Sequence, residues 1–75
     1  MVFPAMQRIG IHMMFVFFPI DVIWLDDKRR IVALKKNLRP FSAITPKERA
    51  QFVIELPIGV IEAGRMKVRD RIGWE

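Results

Sequence analysis

His12, Asp21 and Ser42 are the residues whose types fit nucleophilic or acid–base chemistry. A hydroxyl, an imidazole and a carboxylate form an acyl-transfer relay only when the imidazole lies between the other two. Ser42 follows Pro40-Phe41 and lacks the flanking glycines of a nucleophile elbow, so it is the weakest member. His12 and Asp21 make the better pair, because a chain reversal near Phe18 would set them on neighbouring strands. Buried, they would satisfy each other or nearby backbone, since buried polar groups are hydrogen-bonded. A structural role is therefore expected ahead of a catalytic one. Glu55 and Asp70 are expected to anchor a loop and a turn, accepting backbone N–H groups or pairing with Arg39 or Arg71. His12, Asp21, Arg39, Glu55 and Asp70 form the candidate polar site.

Other chemistry is poorly supplied. The chain has no Cys and one His, which excludes a disulfide framework and leaves no conventional zinc site. Asp26-Asp27 supplies half of a cation site at most and reads as a turn. The four glycines are dispersed, with no phosphate-cradling loop. Neither a metal nor a cofactor is expected.

The elements that must position these residues start with the apolar run Gly10 to Leu25. A membrane-spanning helix needs about 20 mostly apolar residues. This run is shorter and is broken by Pro19 and Asp21, the latter costing roughly 2.5–3.5 kcal/mol at a bilayer centre. Arg8 on one side and Asp26 to Arg30 on the other give no basic asymmetry. No small-x-small cleavage site follows, so a signal peptide is not expected either. The run reads as protein core, and the expected location is the cytoplasm.

Seventy-five residues make one small domain, which buries only about 60–65% of the surface its unfolded chain exposes. A composition that is 52% hydrophobic is high for that length, so some apolar surface is expected against another subunit. The formal charge of +5 invites a nucleic-acid reading. The basic residues are scattered, however, and only Lys67, Arg69 and Arg71 alternate. On a strand these three would share one face and could hold phosphates. A solvated surface is the plainer explanation. Abundant Ile, Val, Lys and Arg with sparse Asn and Gln suits a heat-adapted protein.

The pattern is mostly of period two. Ile9 to Phe17 and Ile20 to Leu25 read as strands separated by Pro19. Asp26 to Arg29 forms a polar turn, and Arg30 to Leu38 is a third strand, hairpin partner of the second. Its alternation is imperfect, with Ile31, Val32, Ala33 and Leu34 all apolar. Arg39 to Lys47 reads as a loop and Ala50 to Leu56 as a strand. A short helix is expected from Pro57 in its first turn to Gly64 at its end. Lys67 to Trp74 closes as one or two short strands around a turn near Arg69-Asp70. The fold class is mainly β, a small antiparallel β-barrel or rolled sheet with one short helix, in a single domain.

Three blocks in order carry a resemblance: IHMMFVFFPIDVIWLD (Ile11 to Asp26), LRPF (Leu38 to Phe41) and FVIELPIGVIEAGRMKVRDRI (Phe52 to Ile72). They resemble the domain-of-unknown-function family 192 in its archaeal form. The matching positions are Ile11, His12, Phe15, Pro19, Ile20, Asp21 and Val22, then Arg39, Pro40 and Phe41. They continue at Glu55, Leu56, Pro57, Gly59 and Ile61, and at Val68, Asp70, Arg71 and Ile72. The resemblance implies a compact, mostly antiparallel barrel-like fold and no established activity. Two departures follow from it. The family tail carries Gly before the Asp, where this chain has Arg69, so a strained or different turn is expected there. Many members also carry strands ahead of the region matching Val2 to Pro4, so this chain resembles a minimal form with an open sheet edge that favours self-association.

Three function classes stay open. The first is a non-catalytic β-barrel module acting through protein–protein contact or as a homo-oligomer. The second is an RNA- or anion-binding module using Lys67, Arg69 and Arg71, with Phe41 and Trp74 as stacking surfaces, though no nucleic-acid motif supports it. The third is a hydrolase using His12 and Asp21 with Ser42.

Overall fold

The computed structural model describes residues 2–12 and 18–73, with His12 described by its backbone. In chain order the elements are β1 (Val2–Gln7), β2 (Ile11–His12), β3 (Ile20–Leu25), β4 (Ile31–Leu38), β5 (Ala43–Ile44), β6 (Ala50–Pro57) and α1 (Val60–Ala63). Four strands form one antiparallel sheet in the order β1-β6-β3-β4, and β2 pairs with β5 in a second. The fold is thus mainly β and antiparallel with one short helix, and the four-stranded sheet is open, not closed into a barrel.

Strand β3 organises the molecule, and all six of its residues are buried. Successive side chains alternate between faces. Ile20, Val22 and Trp24 pack with Ile9, Ile11, Leu38, Ala50 and Val53 on one side. Ile23 and Leu25 pack with Ile31 and Ile61 on the other, beside α1. A strand covered on both faces reads as an unbroken apolar run, which explains why this segment mimics a membrane span. The indole N–H of Trp24 donates to the Ile9 carbonyl at 2.9 Å, tying the segment after β1 to the central strand.

The hairpin from β3 to β4 turns through Asp26. Its carboxylate accepts the N–H groups of Lys28 at 2.8 Å and Arg30 at 2.9 Å. The Arg29 N–H donates to the Asp26 carbonyl, and Arg29 takes a left-handed φ of 64°. A three-residue hairpin loop with a left-handed last residue has this form. The register along β4 shifts twice, between the partners of Trp24 and Leu25 and between those of Ile20 and Val22. The first bulge accounts for the imperfect alternation: Ile31 and Leu34 reach the α1 face, while Val32 and Ala33 pack on the opposite one.

Several expectations need correction. β1 was not anticipated; it lies at the sheet edge with five of its six residues exposed and is interrupted by Pro4, so it shows no alternation. The stretch Arg39 to Lys47 is not all loop, because Ala43–Ile44 pairs with β2. Pro57 ends β6 and does not begin the helix, whose N-cap is Gly59 with φ 92°. The helix ends at Gly64 as expected, but Gly64 is its right-handed C-cap (φ −84°): Arg65 takes the left-handed position (φ 51°), and the N–H groups of Arg65 and Met66 return to the carbonyls of Glu62 and Ile61. Most of the strand expected over Ile9 to Phe17 lies outside the described residues.

Candidate functional site

Asp21 is 1% exposed and accepts three backbone N–H groups. Asn37 donates to one carboxylate oxygen at 2.9 Å. Gly59 and Ile61 both donate to the other at 3.0 Å. The donors come from the bulge near the end of β4 and from the entry to α1. Ile61 occupies the second helical position, whose N–H is ordinarily taken by the side chain of the N-cap residue. Gly59 has no side chain to offer, so a carboxylate from β3 does the capping instead. The left-handed φ of Asn37 (54°) and of Gly59 turns these N–H groups out of the ladder and toward Asp21. Negative charge at the start of a helix is further favoured by the exposed peptide dipoles.

Two depressions adjoin this anchor and share Ile58. One, of about 180 Å³, is lined by Asp21, Lys36, Asn37, Ile58, Gly59 and Glu62. The other is an apolar groove of about 440 Å³ lined by Phe18, Pro19, Ile20, Glu55, Leu56, Pro57 and Ile58. Phe18 is 66% exposed and Ile58 52% exposed at its borders. The Asp21 contacts fix the Pro57–Gly59 corner, so the buried carboxylate sets the shape of the groove without lining it.

The residues expected to form a polar site are spread over separate places. Glu55 borders the apolar groove, and Arg39 lines a third depression with Ser42, Asn37 and Lys35. Asp70 anchors the tail turn, accepting the Lys67 N–H at 3.0 Å, which is the turn role expected of it. Strand β2, which carries His12, pairs with β5 and not with β3, so His12 and Asp21 do not lie on neighbouring strands. The backbone of His12 instead faces Ala43, next to Ser42 in sequence. The Ser42 hydroxyl donates to the Arg39 carbonyl within its own loop. Among the described residues no group of three His, Asp or Glu side chains is placed to hold a metal ion.

The basic tail also differs from its expected form. Lys67 to Asp70 is a turn, not a strand, and Arg69 adopts φ 82°. Lys67, Arg69 and Arg71 are all exposed, yet the alternation that would align them on one strand face is absent. Arg71 instead bridges to Arg30 at the start of β4. There it borders a cleft of about 420 Å³ with Asp27, Lys28, Arg29 and Arg30. Sequence reasoning missed this grouping, because Arg71 meets the hairpin only through tertiary pairing. Phe41 is 65% exposed, and Trp74 lies outside the described residues. No helix among the described residues is long and apolar enough to cross a membrane.

Known proteins resemble the chain at both sequence and fold level. A UPF0127 protein of Thermococcus gammatolerans is 43% identical over 76 residues, covering 99% of this chain and 49% of its own length. A UPF0127 protein of Pyrococcus furiosus is 37% identical over 75 residues, covering 97% of this chain and 64% of its own. The chain therefore spans about half to two thirds of the length of these relatives. Crystal structures share the fold. A candidate transcription regulator from Sinorhizobium meliloti superposes with TM-score 0.87 at 22% identity, over 93% of this chain and 56% of that one. A protein of unknown function from Novosphingobium aromaticivorans gives 0.82 at 20% identity, over 92% and 51%. The DUF192 family model, an uncharacterized conserved family, matches residues 1–74. With its sequence blocks, its fold and this match in agreement, the chain belongs to the DUF192 family.

Proposed function

We propose that this chain is a non-catalytic binding module that pairs with a second copy of itself through the groove between Phe18 and Ile58. The observation that carries this reading is the position of two large apolar side chains, each more than half exposed, at the rim of an apolar groove. An exposed knob beside a hole on one surface is self-complementary, because a two-fold axis lets each copy fill the other's groove. Apolar exposure of this kind marks an interaction surface. The absence of catalytic commitment points the same way: both Asp21 oxygens are occupied by backbone donors, and the Ser42 proton goes to a carbonyl.

Side-chain docking fits better than edge-to-edge strand pairing. Pro4 removes a donor from β1, and the ladder to β6 shifts register between Val2 and Gln7. The start of β4 is already occupied by the tail through the Arg69, Ile31 and Ile72 hydrogen bonds. The proposal retains a cytoplasmic location.

Sedimentation equilibrium from low to high micromolar concentration tests it. A monomer–dimer equilibrium is expected, with Phe18→Asp shifted to monomer at every concentration while its circular dichroism stays that of the parent. A parent chain that remains monomeric at high micromolar concentration removes the reading.

A further inference from the structure

We propose that the cleft between the β3–β4 hairpin and the tail is a binding site for a terminal phosphate or pyrophosphate group, held by Lys28, Arg30 and Arg71. Arg30 and Arg71 are direct partners across an antiparallel bridge. The flanking bonds run from the Ile31 N–H to the Asp70 carbonyl at 2.7 Å and from the Ile72 N–H to the Arg29 carbonyl at 2.8 Å. Bonds on either side, and none between Arg30 and Arg71 themselves, define the non-hydrogen-bonded type of pair. In that type opposing side chains come closest, with Cα atoms about 4.5 Å apart.

Two cations at this position repel, and like charges directly opposite destabilise a ladder. Among the described residues neither guanidinium has an ion-pair partner. Lys28 and Arg29 add cations from the hairpin loop, and among the described residues Asp27 is the one carboxylate lining the cleft of about 420 Å³. An anion between the two guanidinium groups turns this repulsion into paired charge-assisted hydrogen bonds, the arrangement arginine forms best with phosphate. Lys28, Arg30 and Arg71 all line this one cleft. A terminal phosphate concentrates two charges there, whereas a nucleic-acid backbone spreads single charges along a track.

The test is an NMR titration of the full chain with inorganic pyrophosphate at low ionic strength. Saturable shifts are expected in the backbone amides of residues 28–31 and 69–72. Arg30→Gln and Arg71→Gln should each weaken binding about ten- to hundred-fold, the range for losing a charge-assisted pair. Lys47→Gln, on the loop before β6, should leave it unchanged. Removing a like charge leaves Arg71→Gln folded, with a melting temperature no lower than the parent in phosphate-free buffer. Pyrophosphate should then raise the melting temperature of the parent and not of the variant. The proposal is overturned if those amides do not shift, or if Lys47→Gln weakens binding as much as Arg71→Gln. It is likewise overturned if an oligothymidylate shifts the same amides at lower phosphate concentration than pyrophosphate does.

Discussion

The Ile61 N–H donates to Asp21 across 40 residues of sequence, at 3.0 Å, and so a strand residue caps a helix it does not belong to. The same carboxylate oxygen takes the Gly59 N–H, and its twin takes that of Asn37. One side chain thereby joins three segments that have no sequence proximity.

Asp21→Ala should destabilise the protein by about 3 kcal/mol or more, because each orphaned buried N–H costs about 1–3 kcal/mol. Asp21→Asn keeps one acceptor and presents an amide donor to the remaining N–H groups, so an intermediate loss is expected. Urea denaturation measures both. Hydrogen exchange should show Asn37, Gly59 and Ile61 losing protection together in either variant.

Gly59→Ala isolates a conformational cost. A Cβ built there meets nothing within 4 Å, so there is no clash, but φ is 92°. A left-handed residue with a side chain costs about 1–2 kcal/mol. Thermal unfolding should report a loss of that size, with the Asp21 contacts retained in the variant's structure.

Arg69→Gly runs in the opposite direction. Arg69 holds φ 82° in the turn before Asp70, as expected where the family tail carries glycine. Relief of the left-handed strain, about 1–2 kcal/mol, exceeds the added unfolded-state entropy of glycine, about 0.4–1 kcal/mol. A net gain of about 0.5–1 kcal/mol is expected, read as a higher urea midpoint at unchanged slope.

Trp24→Phe should release the amino-terminal segment. The substitution leaves the Ile9 carbonyl without its buried donor and costs about 1–3 kcal/mol. Limited trypsin digestion should then cut after Arg8 faster than in the parent, whose Arg8 Nε also donates to the Pro46 carbonyl at 3.1 Å. Equal cleavage rates would mean that the indole bond does not hold the segment.

The sequence exposes the parts of this fold that obey local rules. β3, the Asp26 hairpin, β4 and β6 follow from β-branched content and turn chemistry, and Asp21 stands out as the one charge in an apolar run. Its partners do not stand out, because Asn37 and Gly59 become donors to it only through left-handed backbone set by tertiary pairing. β1 escapes notice because an exposed edge strand with a proline has no pattern to read. The basic alternation at Lys67, Arg69 and Arg71 misleads for a related reason: spacing of two implies one face only if the backbone is extended, and Arg69 is not. The real grouping of Arg71 with Arg30 is a long-range bridge, invisible to any window of sequence.

The position of β3 between β4 and β6 has a kinetic consequence. Pairing with β4 closes through a short hairpin, as with Trp24 opposite Ala33, whereas pairing with β6 brings Trp24 to Val53 and Ile20 to Pro57. Closing the longer loop must precede any reward from those contacts, which slows folding in proteins rich in distant pairs. The hairpin is therefore the part available to form first, and until β6 docks, the most apolar strand of the chain has one bare edge. The interval before that docking is when the chain is most exposed to aggregation.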